Sequence, residues 1–465
     1  MYRNLFTLVF VLAGVLLVLS LSLLDAEWAV AIATGIGLLL IGLGLIIVMG
    51  PTQREPRVEL WLFLSAFAIR IVMVIAIYQF GLVQILKDDD ASLWAFGAWL
   101  AKRWDRMDWV AIAADASTFM HQRKDAGYFL FLGSFFYTVG GISRLAAGFI
   151  NAWFGSLTVV LTYRMTVLLF ERKAARYAGI AACLSPSLIV WSTQTLKEPI
   201  VIFLEVLALY TTLRMQRQFS IWRMLLISLC ILALATMRFY VSYIVASAIL
   251  LGLFSEKGLR SRLTAIGAAL IIIIALSLTG VLGRDTELFA RFNLNYVTEF
   301  RAAVARGPGS GSGVANQYDL RSPPQLALAL ALGAAHLLMA PFPWQMVGGS
   351  LRMLLSLPEM VVWWWLVWFA LLPGVREALR RFPVGLSTVL IFCLTIGLLY
   401  SLMFGNIGLV FRQRAQLLPF LLVFVGVGLS KWARRGRQAA VPPPAPALKS
   451  SLPVTSFGHL GAPRT

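Results

Sequence analysis

Four polar clusters interrupt an otherwise apolar chain, and their residue types divide into acid and base. Asp88, Asp89 and Asp90 follow one long apolar run. Lys197 and Glu198 stand in the sequence Trp-Ser-Thr-Gln-Thr-Leu-Lys-Glu-Pro at 191–199. Arg238 separates two apolar runs in Met-Arg-Phe-Tyr, and Arg412 and Arg414 flank Gln413 shortly after Gly405 and Asn406. A phosphate is best held by Arg and Lys, because the guanidinium fork matches its oxygens in pairs. A hydroxyl or amine that must lose a proton needs a carboxylate within reach. Acid at one link and base at the others therefore points to transfer chemistry on a phosphorylated lipid. Ionised groups at membrane depth are costly unless paired or wetted, which makes each of them a functional candidate.

Each cluster also has a plainer explanation. Three aspartates after an apolar run can be a solvated cap. Lys197-Glu198-Pro199 can simply open a helix, since an acid in the first turn and a proline at its start are both favourable. Arg412 and Arg414 can snorkel at a membrane edge. Trp363, Trp364 and Trp365 read as a belt facing lipid or helix rather than as a sugar platform. The three basic positions are harder to explain together. Positive charge on the face where it is normally scarce needs a reason.

The elements that position these clusters are membrane helices. The 465 residues are 59% hydrophobic with a mean hydropathy of +0.81, and apolar runs recur from Leu5 to Lys431. Such runs must cross roughly 30 Å of hydrocarbon with their backbone bonds closed internally. The net charge of +19 is not a nucleic-acid signal, because it gathers in short links. These include Arg54 and Arg57; Arg172, Lys173 and Arg176; Arg214 and Arg217; Lys257, Arg260 and Arg262; Arg376, Arg380 and Arg381; and Lys431 to Arg437. Placing them on the cytoplasmic side predicts a multi-pass cell-membrane protein with both termini cytoplasmic. Spans are expected near 5–24, 28–49, 60–80, 145–168, 177–194, 198–213, 220–237, 239–254, 264–283, 354–373, 384–403 and 415–431. That is an all-α fold of about twelve spans, within a range of roughly 10–14. The pieces near 128–141 and 326–340 read as re-entrant or surface-lying helices on the outer face.

The spans form one polytopic domain over 1–436, with a core at 60–283 and C-terminal helices at 326–436. The segment 437–465 reads as a disordered cytoplasmic tail rich in proline and alanine. Two long links, 81–144 and 284–324, fall outside the cell, and the second carries a mobile Gly-Ser loop at 307–313. The first segment lacks a cleavage site and is expected to stay as a span. Cys183, Cys230 and Cys393 lie scattered in apolar segments, which argues against a disulfide framework or a thiolate metal site. His121, His336 and His459 stand far apart, so no metal site is expected from them.

The order of these pieces resembles the GT-C superfamily of polytopic glycosyltransferases that use polyprenyl-phosphate-linked sugars. The resemblance is best over 87–215. Asp89 and Asp90 precede Trp94, then Ala98, Leu100 and Ala101; Gly127-Tyr128 follows. Next come Arg144, Asn151, Gly155 and Tyr163, then a Phe170-Arg172-Lys173-Ala174 turn, then Ser185–Ser187, Trp191-Ser192 and Lys197-Glu198. The C-terminal half, with Pro-Phe-Pro-Trp at 341–344 and Leu-Pro-Glu at 357–359, looks like bacterial relatives associated with envelope polysaccharides. The chain departs from the pattern in carrying Trp94 where tyrosine is usual, and its run of three aspartates leaves the register of the acid open.

The resemblance implies an inverting hexosyl transfer to an extracytoplasmic glycan, lipid or protein. Asp90, with Asp89 next, would be the catalytic base. Lys197, Glu198, Arg238, Arg412 and Arg414 would hold the donor's phosphate and sugar. No metal is required, although Asp89 and Asp90 offer oxygen ligands for Mg²⁺ or Mn²⁺. The partners expected are the lipid-linked donor, the acceptor and membrane lipids, and no nucleic acid. Alternatives are a polysaccharide polymerase or ligase, a lipid-linked glycan transporter, and a non-catalytic assembly partner.

Overall fold

The computed structural model describes residues 25–49, 55–82, 90–122, 126–255, 266–267, 269, 293–306, 313, 318–346 and 354–439. The expected span at 5–24, nearly all of that at 264–283, the loop at 307–312 and the tail from 440 lie outside the described residues. So do Asp88 and Asp89.

Among the described residues every regular element is a helix. They are α1 (Ala26–Val48), α2 (Pro56–Gln79), α3 (Asp90–Trp104), α4 (Trp109–Gln122), α5 (Ala126–Val139), α6 (Arg144–Leu169), α7 (Arg172–Leu184), α8 (Pro186–Trp191) and α9 (Glu198–Arg217). There follow α10 (Ile221–Met237), α11 (Phe239–Ser255), α12 (Leu294–Arg306), α13 (Pro323–Met339), α14 (Pro343–Met346), α15 (Leu357–Arg381), α16 (Leu386–Leu402) and α17 (Ile407–Ala439). Helices α1, α2, α6, α15 and α17 are long and apolar enough to cross a membrane, and shorter apolar helices accompany them. The chain is a multi-pass membrane protein.

Helices α6 and α17 are the centre of the bundle. The first packs on α1, α2, α7 and α9, the second on α7 and α15. Small residues make this approach possible, as expected where lipid removes the hydrophobic drive between helices. A Cβ on Gly148 would meet Val74 at 2.7 Å, and one on Gly155 would meet Ser192 at 2.6 Å and the Arg70 Nε at 2.9 Å. The hydroxyls of α6 bond within their own helix: Ser156 to Ala152 O at 2.7 Å, and Thr162 and Thr166 to the carbonyls four residues back, each at 2.8 Å. This satisfies them where no water reaches.

The span expected over 177–194 is not one helix. It breaks at Ser185-Pro186, where proline removes an N–H and pushes the preceding residue out of the helical region. The short helix α8 follows, with Ser187 N donating to Glu359 Oε1 of α15 at 3.0 Å. Residues 192–196 then leave helical geometry while buried in protein, which is the setting that irregular backbone needs within a membrane. The last helix starts at Ile407 rather than near 415, so both Arg412 and Arg414 lie inside it.

The two ends of the bundle differ. At one end the carboxylates of α2, α6–α7 and α15 staple neighbouring helices together. Arg164 donates to Glu59 at 3.1 and 2.6 Å with both groups buried, and Arg176 Nε donates to Glu55 at 2.8 Å. The hydrogen bond from Arg176 is the largest influence on the Glu55 carboxyl and holds it below the usual carboxylate range. Glu171 pairs with Ser430 and Arg434, and Lys431 Nζ reaches Glu377 at 2.7 Å. The opposite end gathers the start of α6, residues 192–198, Arg238 and the start of α17.

Candidate functional site

Glu198 is the hub of that opposite end. It is fully buried in the first turn of α9. Its Oε1 accepts Arg238 Nη2 at 2.7 Å, Arg412 Nε at 2.9 Å and Arg412 Nη2 at 2.8 Å. Its Oε2 has no hydrogen-bond partner. Arg238 is the residue at which α10 ends and α11 begins, and Arg412 comes from the second turn of α17. Three separate parts of the chain thus meet on one oxygen. Among the described residues, Arg238 and Arg412 share this one carboxylate oxygen, with Lys197 next to it in the chain and Glu205 two turns further along α9.

The stretch from Trp191 to Leu196 is held from outside itself. Asn151 of α6 directs its Nδ2 to Gln194 O at 2.6 Å, Leu196 O at 2.8 Å and the Tyr128 hydroxyl at 3.2 Å. Tyr78 of α2 shares a 3.1 Å hydrogen bond with Thr195. Arg70 Nε donates to Ser192 Oγ at 2.9 Å. The Arg412 guanidinium also lies over the Trp191 ring, 5.8 Å from its centroid. Asn151 supplies two of the carbonyls with the partners that a helix would have given them, and Tyr78 and Arg70 anchor the stretch through its hydroxyls. Lys197 and Glu198 are thereby presented at a fixed point.

Arg412 and Arg414 do different things. Two residues apart on a helix, they cannot face the same neighbour. Arg414 is buried with Nη1 directed to Ala340 O at 3.0 Å and Leu338 O at 3.5 Å, and it stacks over Phe411 at 4.6 Å. The indole N–H groups of Trp363 and Trp364 reach the neighbouring carbonyls, Leu338 O at 2.6 Å and Met339 O at 2.8 Å. Arg414, Trp363 and Trp364 together cap the C-terminal end of α13, whose last carbonyls would otherwise lack partners. Trp365 is partly exposed.

The first turn of α3 reaches the same region through aromatic contacts. Asp90 opens α3, one turn before Trp94. The Arg144 guanidinium lies over both Trp94 and Tyr78, with centroids at 5.8 and 5.0 Å, and Tyr78 contacts Thr195. The side chain of Asp90 is outside the described residues, as is all of Asp89. Gly313, at the edge of the Gly-Ser loop, bridges to Asn406 just before α17.

Two residues to which the sequence reading gave no role in the site stand close to it. Asn151 stands in an apolar helix, and an intramembrane amide is itself a signal of something to be held. Glu205 lies two turns along α9 from Glu198, fully buried, with neither carboxylate oxygen hydrogen-bonded.

Among known proteins, residues 126–282 match the family model of dolichyl-phosphate-mannose-protein mannosyltransferase. No curated protein matches the chain. A solved structure of the archaeal oligosaccharyltransferase AglB from Archaeoglobus fulgidus, in complex with an inhibitory peptide and a dolichol-phosphate, is similar at 14% identity with a TM-score of 0.40. The alignment covers 77% of this chain and 53% of that one, so this chain spans about half the length of that protein. The family match covers about a third of the chain and takes in Asn151, the 191–198 stretch, Glu198 and Arg238. Over this segment the chain is similar to that mannosyltransferase family.

Proposed function

We propose that this protein moves a sugar from a polyprenyl-phosphate donor to an acceptor on the extracytoplasmic face of the cell membrane. The observation that carries the reading is the buried Glu198–Arg238–Arg412 cluster beside Lys197, in which two guanidiniums are held on one carboxylate oxygen. A lipid phosphate is the anion that paired guanidiniums hold best. Glu198 holds the two guanidiniums in place before the donor arrives, so they need little reorganisation when it does. Arg414 and the two tryptophans support the cluster from behind by fixing α13 against α17.

In the reaction, the acceptor oxygen attacks the anomeric carbon as its bond to the phosphate oxygen breaks. Asp90, with Asp89 as the other candidate, takes the acceptor's proton. Negative charge grows on the departing phosphate, where Arg238, Arg412 and Lys197 stabilise it. A single displacement inverts the anomeric centre. The sugar is taken as a hexose and the acceptor as an envelope glycan, lipid or protein. The stapled end of the bundle, rich in Lys and Arg, then faces the cytoplasm with both termini. Asp89 and Asp90 could hold a divalent cation, and the scheme does not need one.

The test is binding of a polyprenyl-phosphate analogue to purified protein in nanodiscs. Arg238→Ala and Arg412→Ala should each weaken binding at least tenfold, the scale of one lost charge-assisted contact of about 1.5–3 kcal/mol. Unchanged affinity in both folded variants would remove the phosphate from this site. Binding of a polyprenyl diphosphate glycan in preference to the monophosphate would favour the polymerase or ligase reading.

A further inference from the structure

One corner of the Lys/Arg-rich end carries arginines without acids. It runs from Arg214 to Arg223, in Arg-Met-Gln-Arg-Gln-Phe-Ser-Ile-Trp-Arg, and joins the end of α9 to the start of α10. The carboxylates described at this end are taken elsewhere. Glu59 holds Arg164, Glu55 holds Arg176, Glu171 holds Arg434, and Glu377 holds Lys431 and Arg381. The basic links at 171–176 and 376–381 thus contain an acid of their own, and 214–223 does not. Among the described residues no carboxylate pairs with Arg214, Arg217 or Arg223.

The corner is fixed by the backbone around it. Arg217 Nη2 donates to Leu168 O in the last turn of α6. Arg223 Nη1 donates to Gln218 O and, at 3.2 Å, to Arg214 O at the end of α9. Carbonyls at a helix C-terminus favour a cation, which is reason enough for Arg217 and Arg223 to lie there. It is no reason for the Arg214 side chain, which among the described residues makes no ion pair. The charged group acting on Arg223 is Arg214 itself, a like charge. Two guanidiniums brought together with no acid between them suit the oxygens of a phosphate. Beyond the arginines, α10 turns an apolar face outward. Trp222, Leu225 and Leu229 are exposed and stand at helical spacing on one side. This stripe runs about 10 Å along the helix. A tryptophan at its head suits the level of lipid headgroups.

We propose that this corner binds one anionic phospholipid, with its phosphodiester on Arg214 and Arg223 and an acyl chain along the Trp222–Leu229 stripe. A basic cluster at the end of membrane helices attracts such headgroups. A soluble anion would use the arginines alone, whereas charge at the head of an apolar stripe matches an amphiphile. Bound lipid would neutralise the two arginines and tie α9 to α10. The corner lies at the end of the bundle opposite Glu198, so the inference does not depend on the chain being a transferase.

The experiment has two arms. In the first, protein in neutral detergent is given dioleoyl phosphatidylglycerol, and native mass spectrometry counts the lipid retained. The wild type should keep one copy that excess dioleoyl phosphatidylcholine does not displace, and inorganic phosphate should not displace it either. Arg214→Gln, which breaks no bond of the fold, should weaken retention about fivefold, the worth of one arginine near an anionic headgroup. Arg214→Lys should weaken it less. Equal retention of the two lipids, displacement by inorganic phosphate, or full retention in Arg214→Gln would each overturn the proposal. In the second arm, the protein sits in phosphatidylcholine nanodiscs containing a little phosphatidylglycerol brominated on its chains. Tryptophan quenching by the brominated phosphatidylglycerol should exceed that by brominated phosphatidylcholine, and Trp222→Phe should remove the excess. No excess, or an excess unchanged in Trp222→Phe, would refute the site. This arm leaves Arg214 in place, so the answer stays readable if Arg214→Gln fails to fold.

Discussion

Glu198 and its two arginines set the expectations at the residue scale. A buried carboxylate that loses its charge strands the cations around it, which commonly costs about 3–5 kcal/mol. Glu198→Gln should therefore lower the unfolding temperature by several degrees, measured by thermal melting in nanodiscs, even though it preserves shape. A variant with wild-type stability would mean that the arginines find other partners and that Glu198 does not organise them. The acid needs its own test. Asp90→Asn should lower sugar transfer in reconstituted vesicles by about 10²–10⁴, the usual worth of a general base, while leaving donor binding nearly intact. If Asp90→Asn kept full activity and Asp89→Asn abolished it, the base would be one residue earlier.

At the scale of elements, the buried stretch at 192–196 depends on a helix that precedes it by some forty residues. Asn151→Leu keeps the volume but removes the donor to Gln194 O and Leu196 O. The cost should be about 1–3 kcal/mol for buried carbonyls left unpaired. Hydrogen exchange should show residues 192–197 losing protection before the rest of α6 does. Protection loss spread evenly over the bundle would assign Asn151 a general packing role instead. The outer helices carry a pH dependence. Partial burial works against the ionisation of Asp115, and hydrogen bonds from Arg103 and Trp104, with the charge of Arg103, outweigh it and hold its carboxyl below the usual range. A depressed carboxyl stabilises the fold above its unfolded pKa of about 3.9, and that contribution is lost as pH falls through the folded value. Exchange protection of α4 should therefore drop on acidification below about pH 4, and Asp115→Asn should abolish that dependence.

The whole molecule presents two unlike ends, and orientation decides where the chemistry takes place. A cysteine introduced at Ser92, on the exposed side of α3, should react with an impermeant thiol reagent from outside intact cells. One introduced at Ser255, at the other end of α11, should react only after the membrane is opened. The reverse pattern would move the Glu198 cluster to the cytoplasmic face and end the proposed use of an extracytoplasmic acceptor. Cys183 and Cys230 are buried and Cys393 is half-buried, so the native background should be low.

The sequence by itself determined the class of the molecule. Apolar length and Lys/Arg placement are properties of contiguous residues, and they located α1, α2, α6, α10, α11 and α16 to within a few positions. They also marked Lys197, Glu198, Arg238 and Arg412 as charges too costly to be idle. One error was avoidable, because Pro186 inside an expected span is a local signal of a break. Another was a matter of one helix start: beginning α17 at Ile407 instead of near 415 turns Arg412 and Arg414 onto different faces. Only the tertiary structure decided the partnerships. Glu198 meets an arginine 40 residues away and another 214 away, and Asn151 serves carbonyls 43 and 45 residues on. No periodicity encodes such separations. They follow from how helices of similar apolar character choose among faces, which in lipid is settled by where small residues let backbones approach and where each buried polar atom finds a partner.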